Sequence, residues 1–519
     1  MLISLCWRYN LAYKPHAAPA PMMFGYDPFF KLSEDHLVRL IELVVESEID
    51  TSCSKVSAGQ PAHNPRLLIK VLLYGYATGV RSSRQLEILC NENLGYLFLT
   101  RGVTPSYRTI CSFRAEQIEL LRRVWKSLFK VADEMGLPRI GKITVDSSKF
   151  RADASTESVI KKEHFPAIYA EFAKIIEEAR AVDEREDAEF TGQTQLGIKI
   201  DDNEHTRDIV RRVIGQSKGK PDNKKPRGRV TNKMLAILEN SLQVIENAQK
   251  ENLQHLCLTD PDARMMPDGC EKRIRECHNF EVAVDNGLIV AGQSTQIGPD
   301  NGRLEILVEA AKENEPNGIT HVDADSGYYS GDAVGRLMEQ GLDLCIPDSN
   351  TACDLHRDNP IGTSRGDYQN KVEMVYEAET DSYTCPEGNR LVFSQNRKSK
   401  GQIVKLYKAE RVCKGCPLAS VCLQSDKTRY RTIQVGEHRE ILIANRKRFE
   451  DPEHVERYRG RANSVETVFA FIRRVLGYRR WSLRGKRGVA AEAELFKAGY
   501  QLRKIHSAQK KVKAQLKSI

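Results

Sequence analysis

No stretch of 18 or more apolar residues occurs in the 519-residue chain, so no membrane-spanning helix is expected. The first 22 residues, MLISLCWRYNLAYKPHAAPAPM, lack the basic start and long apolar run of a secretory signal, and none is expected there. A disulfide framework is missing too. The 13 cysteines are odd in number and nine are scattered, which points to a reducing, cytoplasmic setting. Compositional bias is absent as well: 40% hydrophobic and 29% charged is ordinary for a globular chain and argues against disorder. The length exceeds what one core needs and predicts roughly two to four domains.

What is present begins with charge. The formal net charge is +9, and its placement says more than its size. Residues 441–519 hold 20 Lys and Arg, and KGKPDNKKPRGR at 218–229 is a second basic block, with Lys224, Lys225 and Arg227 at its centre. One basic run reads as a solvated face or a linker. Two raise the expectation of a polyanionic partner.

Residues 1–23 read as a loose tail, or as a consequence of start-codon choice, since FGYDPFF follows Met22 and Met23. Residues 24–135 read as helical, with apolar spacing in LSEDHLVRLIELVVES and PRLLIKVLLYGYATG. Asn64–Pro65 and Thr104–Pro105 each look like a cap followed by proline at the first helical position. Short helices with basic side chains at their starts, Arg84 and Arg108 among them, suit a helix-turn-helix-like DNA-binding module; a plain helical bundle fits the spacing equally well.

Next, RIGKITVDS within 136–154 reads as a buried strand ending at Asp146, and 155–255 as a helical, basic insertion or linker. Over 256–349 the pattern becomes hairpin, helix, strand, helix, strand. HNFEVAVDNGLIVAGQSTQI contains the turn Asp285-Asn286-Gly287, a strong hairpin signal. Residues 350–435 read as an irregular, Cys-rich insertion, and 436–519 as helical, continuously so from about 451. The expected class is mixed α/β, a mixed sheet with helices.

Three acids stand out. Asp146 ends ITVD, Asp325 follows THVDA, and Glu466 lies in RANSVETVFAFIRR, on the flank of an apolar stripe formed by Val465, Val468, Phe469 and Ile472. Two strand-end carboxylates and one helical carboxylate can converge on a pair of hard divalent cations for in-line phosphoryl transfer. Each acid alone reads more simply as a surface residue. Asp323, two residues before Asp325, shares its side by strand alternation and is a rival.

VDSSKFRADAS, LTDPDARMM, the HNFEVAVDNGLIV hairpin, VDADSGYYS and YRGRANSVETVFAFIRRVLGYRRW occur in this order, and together they resemble the DDE (Asp-Asp-Glu) transposases of bacterial insertion sequences. HNPRLLIKVLLYGYATGVRSSRQLE, continuing to TPSYRTICSFR, resembles the InsH-type N-terminal domain of the same proteins. The resemblance spans Phe24 to about Ile505. It implies an RNase H-like catalytic core, with Asp146, Asp325 and Glu466 holding two Mg²⁺ or Mn²⁺ ions. It also implies cleavage at transposon ends and strand transfer to target DNA by a homo-oligomer on double-stranded DNA in the cytoplasm, at the nucleoid. No membrane and no small-molecule substrate is expected. Tyr458, Arg461 and Arg473 resemble the helical signature that holds transposon-end phosphates. The Arg461-to-Glu466 spacing is one residue longer than is commonest, and Arg473 stands where Lys is commoner. Asp260, Asp262 and Arg264 in TDPDAR also look family-like, as support for the loop before the hairpin. A catalytically silent DDE-derived DNA-binding protein, an RNase H-like recombination nuclease and a zinc-dependent regulator are the alternatives. The last leaves the acids unexplained.

Cys385, then Cys413-x₂-Cys416-x₅-Cys422, read as a possible structural Zn²⁺ site that would fold a region too polar to core itself. Four reduced, unligated thiols are the simpler alternative.

Overall fold

The computed structural model describes residues 28–48, 63–189 and 232–517, apart from short breaks at 270, 272, 363–371, 373, 400–401, 424, 426 and 437. The tail at 1–23 and the basic block at 218–229, with Lys224, Lys225 and Arg227, lie outside the described residues.

Among the described residues, six α-helices come first: α1 (Leu37–Glu48), α2 (Pro65–Thr78), α3 (Ser83–Glu92), α4 (Leu94–Thr100), α5 (Tyr107–Glu116) and α6 (Ile118–Glu134). Asn64 caps α2 as expected: its side chain accepts the Arg66 N–H and Pro65 takes the first helical position. The second expected cap is displaced. α5 starts at Tyr107 and is capped by Ser106, whose hydroxyl accepts the Thr109 N–H, so Thr104 and Pro105 precede the cap. A serine directly before the first turn reaches the third amide; a threonine two residues earlier does not.

The central strand β1 (Lys142–Arg151) runs five residues past Asp146. Pairing is the cause. β1 stays antiparallel to β5 (Ile274–Asp285) from Ile143↔Asp285 to Arg151↔Cys277, while its parallel partner β7 (His321–Ala324) stops at Ala324, opposite Val145. Asp146 therefore lies in mid-strand, at the point where one edge of β1 loses its neighbour. The insertion between β1 and β5 folds on its own apolar cluster. It comprises the pair β2 (Val159–Lys161) and β3 (His255–Cys257), helices α7 (Phe165–Glu189) and α8 (Asn232–Lys250), and a core of Ile160, Phe165, Ile168, Phe172, Leu238 and Ile245.

β4 (Arg264–Pro267) and β6 (Leu288–Thr295) both pair with β5, and β8 (Asp343–Cys345) lies parallel to β7, completing a six-stranded mixed sheet. The β5–β6 turn places Asn286 at φ 47° and Gly287 at φ 77°. Two successive left-handed residues make the tight hairpin turn that Asn-Gly favours. Helices α9 (Leu304–Lys312) and α10 (Gly331–Glu339) cover this region, and α11 (Ser349–His356) follows.

Residues 372–435, expected to be irregular, instead form a five-stranded antiparallel sheet: β9 (Val375–Glu377), β10 (Ser382–Thr384), β11 (Arg390–Ser399), β12 (Gln402–Ala409) and β13 (Thr432–Val435), each beside the next. Its core is small, built on Tyr383, Leu391, Tyr407 and Ile433. Frequent turn residues and a polar outer half of β11 hide the alternation that would have announced strands.

The chain closes with α12 (Arg439–Lys447), α13 (Pro452–Ala470), a π-helical turn at Phe471–Val475, and α14 (Gly485–Lys517). The expected continuous helix from 451 is thus broken at 476–484. α14 packs against α2, α6 and β6, so one apolar cluster unites the N-terminal helices, the six-stranded sheet and the C-terminal helices. At its centre Glu492 is fully buried. Its carboxylate accepts the Ser482 N–H (2.7 Å), the Leu483 N–H (2.9 Å), the Ser482 hydroxyl (2.6 Å) and the Tyr76 hydroxyl (3.2 Å), with Arg81 at 3.5 Å. Arg114 donates to the Tyr76 and Ser482 hydroxyls. No helix among the described residues is long and apolar enough to cross a membrane.

Candidate active site

The lost strand edge beside Asp146 opens into a cleft of about 900 Å³. Asp146, Asp325 and Glu466 all line it, although they come from segments far apart in sequence. Asp146 accepts its neighbour's Ser147 N–H at 2.7 Å. Burial is the main force pushing its carboxyl up to about 6. The nearby charges of Asp325 and Asp300 push the same way, and the Ser147 N–H and Arg461 push back.

Asp325 lies one residue past β7 and caps the short 3₁₀ turn Ser326–Tyr328, accepting the Gly327 N–H at 2.9 Å. A side chain at position 327 would meet Asp325 Oδ1 at 3.0 Å and Asp300 Oδ2 at 3.5 Å, so glycine lets two carboxylates crowd this turn. Glu466 is exposed on α13, while Val465, Val468, Phe469 and Ile472 are buried; the stripe-and-flank arrangement read from the sequence is the one observed.

The cleft carries both signs of charge: Lys149, Arg473, Arg474 and Arg479 line it together with the acids. Arg473 stacks its guanidinium 4.5 Å above the Phe150 ring and donates to the Lys149 carbonyl at 3.0 Å. It belongs to the π-helical turn, whose extra residue per turn brings successive arginines, 473 and 474, toward the same cleft.

Sequence reasoning missed Asp300 and Lys149. Asp300 accepts the Ser147 hydroxyl at 2.6 Å and pairs with the Lys149 ammonium at 3.1 Å on the cleft wall. Asp300 sits in Pro-Asp-Asn-Gly, which reads as turn punctuation, and Lys149 falls beyond the point where the strand was expected to end. The strand's true length is the signal that would have exposed Lys149.

Asp323 does not line the cleft. Its carboxylate accepts two bonds from Arg457, at 3.0 and 2.5 Å, and Arg457 also grips Asp343 on β8. Arg457→Met should leave two half-buried carboxylates undercompensated and cost about 2–4 kcal/mol, read by denaturant unfolding. A loss under about 1 kcal/mol would mean that Arg448, which also bonds Asp343, suffices alone.

Arg461 stacks on Tyr458 at 4.8 Å, and Tyr458 leans on Phe449; neither Tyr458 nor Arg461 lines the cleft itself. Asp260 and Asp262 serve the start of α14 more than the loop before the hairpin. Asp260 is buried, holds His278 at 3.0 Å and accepts the Gly485 N–H, while Asp262 accepts the Lys486 N–H. Arg264 donates to the Pro261 and Ala263 carbonyls. Arg84 and Arg108 lie away from the cleft, both exposed and both stacked on Tyr107.

Cys385, Cys413, Cys416 and Cys422 line a separate cavity of about 230 Å³ in the five-stranded module. Among the described residues, no three or more His, Cys, Asp or Glu side chains stand as a ready-made ion cage, in the cleft or in this cavity. The chemistry of the cleft's acids still suits hard cations: all the donors are carboxylate oxygens, and a bound cation would offset both the burial of the Asp146 charge, the main cause of its raised carboxyl, and the smaller repulsion from Asp325 and Asp300.

Two family models match the chain. Residues 384–506 match a transposase DDE domain, and residues 28–116 match a transposase domain, DUF772. The first match contains Glu466 but not Asp146 or Asp325; the second covers α1 to α5. No curated protein matches the chain. A DDE domain implies an RNase H-like core, and the mixed sheet flanked by helices agrees with one.

Proposed function

The chain belongs to the insertion-sequence DDE transposases, and we propose that it cuts DNA at the ends of its own element and joins those ends to target DNA, using Asp146, Asp325 and Glu466 to hold two divalent cations, Mg²⁺ or Mn²⁺. The observation that carries this reading is the meeting of the three acids in one cleft that Lys149 and three arginines also line. When bound, such cations offset charge on the phosphate and activate an oxygen nucleophile.

The chain's own groups position the DNA. Arg473, Arg474, Arg479 and Lys149 grip backbone phosphates near the scissile bond, and Tyr458 with Arg461 holds the transposon-end phosphates. Arg473 is well suited to its role because Phe150 and the Lys149 carbonyl fix its plane. The α1–α6 helices, with Arg84 and Arg108 stacked on Tyr107, read the terminal inverted repeats. Lys224, Lys225 and Arg227 add phosphate contacts, and the active form is a homo-oligomer at paired ends on the nucleoid. Binding therefore weakens as salt rises. Fixed charge and geometry supply most of the rate, since the reaction uses no protein nucleophile.

The test is cleavage of DNA carrying the element's flanking inverted repeats, with Mg²⁺, by wild type and Asp325→Asn. Wild type should cut and Asp325→Asn should lose about 10³-fold or more. Equal activity removes the triad assignment. Binding without cleavage by either protein favours a silent DDE-derived DNA-binding protein, and cleavage without strand transfer favours a recombination nuclease.

A further inference from the structure

The five-stranded module holds four cysteines that the cleft chemistry does not use. We propose that Cys385, Cys413, Cys416 and Cys422 bind one zinc ion as a structural tetrathiolate site that fastens this module. The inference is independent of the DNA-cleavage reading.

Three separate segments deliver the thiols to one cavity: the β10–β11 turn, the loop after β12, and the short helical turn Ala419–Cys422. Both loops are bent sharply at a glycine. Gly388, at φ 67°, donates to the Cys385 carbonyl at 2.8 Å; Gly415, at φ 95°, sits between Cys413 and Cys416, whose N–H reaches the Cys413 carbonyl at 3.2 Å. A side chain at either glycine would be strained in this left-handed conformation, so the turns are built to bring sulfurs to one side.

The sulfurs are also met by donors. The Cys385 sulfur accepts the Asn389 N–H at 3.3 Å. The Cys413 sulfur accepts the Arg431 N–H at 3.3 Å and the Asn389 side-chain amide at 3.5 Å. Asn389 thus bridges two of the four cysteines. Amide donors aimed at sulfur stabilise a thiolate and orient it, which is the role groups behind a metal ligand perform. Cys90, Cys257, Cys277 and Cys345 are buried in other parts of the fold, away from these four, and Cys257 there meets the Ser158 hydroxyl at 3.3 Å.

The module's needs point the same way. Its apolar core is a handful of residues, two of them tyrosines, and sheets this small are commonly stapled by a metal or a disulfide. None of the described cysteines is paired in a disulfide. The four sulfurs do not yet surround a common point, so binding draws them inward across the cavity.

The test uses the full chain purified without chelators, measuring metal content and the visible spectrum after cobalt replaces zinc. About one zinc per chain is expected, with the absorption bands of a tetrahedral cobalt thiolate. Both should vanish in Cys413→Ser and Cys416→Ser and persist in Cys111→Ser, Cys353→Ser and Asp325→Asn. Should the serine variants fail to fold, titrating wild type with a mercurial keeps the question open to measurement: zinc should be released as four thiols react. A chain free of metal whose thiols react at once even after zinc is added, a disulfide among the four, or cobalt bands without thiolate character would each overturn the site. Loss of DNA cleavage in Asp325→Asn bears on the other proposal alone.

Discussion

Asp146→Asn should abolish DNA cleavage and, in the absence of metal, make the protein more stable. Both effects come from one feature, a carboxylate held in the mouth of a low-dielectric cleft beside Asp325 and Asp300. Burial raises its protonation point from the ordinary 3.8 to about 6. A raised folded value means that the folded chain holds this proton more tightly than the unfolded chain. The contribution to stability is therefore fully present below about 3.8 and is lost as pH rises through about 6. At pH 7.5 wild type carries the charge with no cation to offset it. Asparagine keeps the shape and an acceptor for the Ser147 N–H but has no charge to desolvate. A gain of about 1–2 kcal/mol at pH 7.5 is expected, shrinking toward zero near pH 4, alongside a cleavage loss of about 10³-fold or more. Urea unfolding at both pH values with a chelator present measures the first effect; a variant less stable than wild type at pH 7.5 would show that the acid is held by its neighbours and is not strained by them.

The second large effect concerns Glu492, which lies far from the cleft in sequence role but central in the fold. It is the common acceptor for the end of the segment that joins the π turn to α14 (Ser482 and Leu483) and for Tyr76 on α2, with Arg81 and Arg114 close by. Glu492→Ala removes four accepted hydrogen bonds at once and leaves buried cationic groups without their counter-charge. Breaking one partner of a buried ionic network costs about 3–5 kcal/mol, since the remaining charge stays desolvated. Glu492→Gln should cost less, about 1–3 kcal/mol, because its carbonyl still accepts the Ser482 and Leu483 N–H groups and its amide can donate to the Ser482 and Tyr76 hydroxyls, so that mainly the charge is lost. Denaturant midpoints resolve the two. The functional corollary is that the α1–α6 helices should loosen from α14, weakening end recognition before the cleft itself is disturbed. An Ala variant within about 1 kcal/mol of wild type would mean that apolar packing of α2 against α14 holds the joint unaided.

Much of the cleft was legible because its signals are local. Outside the cleft, Asn64–Pro65 announces a helix start and Asp285-Asn286-Gly287 a hairpin turn by backbone preference alone; inside it, the stripe of Val465, Val468, Phe469 and Ile472 fixes the flank on which Glu466 lies. What was not legible depends on partners distant in sequence. β1 continues to Arg151 because β5 keeps pairing with it, and nothing in ITVDSSKFR states that β7 will stop at Ala324. Lys149 was missed for that reason, and Asp300 because Pro-Asp-Asn-Gly reads as a turn. Asp323 was a fair rival on strand alternation; only the fold supplies Arg457 to occupy it. The five-stranded module was hidden by composition, since short polar strands between turns carry little periodic signal.

The partnership of β1 with β5 also sets a clock. Residue Ile143 pairs with Asp285, so about 140 residues must leave the ribosome before the central strand meets its first antiparallel neighbour. At roughly 5–20 residues per second that wait lasts on the order of 10–30 s. During it the α7–α8 insertion, with its own apolar cluster, can fold and hold β2 against β3, which draws the two ends of the gap together. The insertion then acts on the nascent chain as a splint, shortening the loop that β1 must close and limiting how long an apolar strand stays open to other chains.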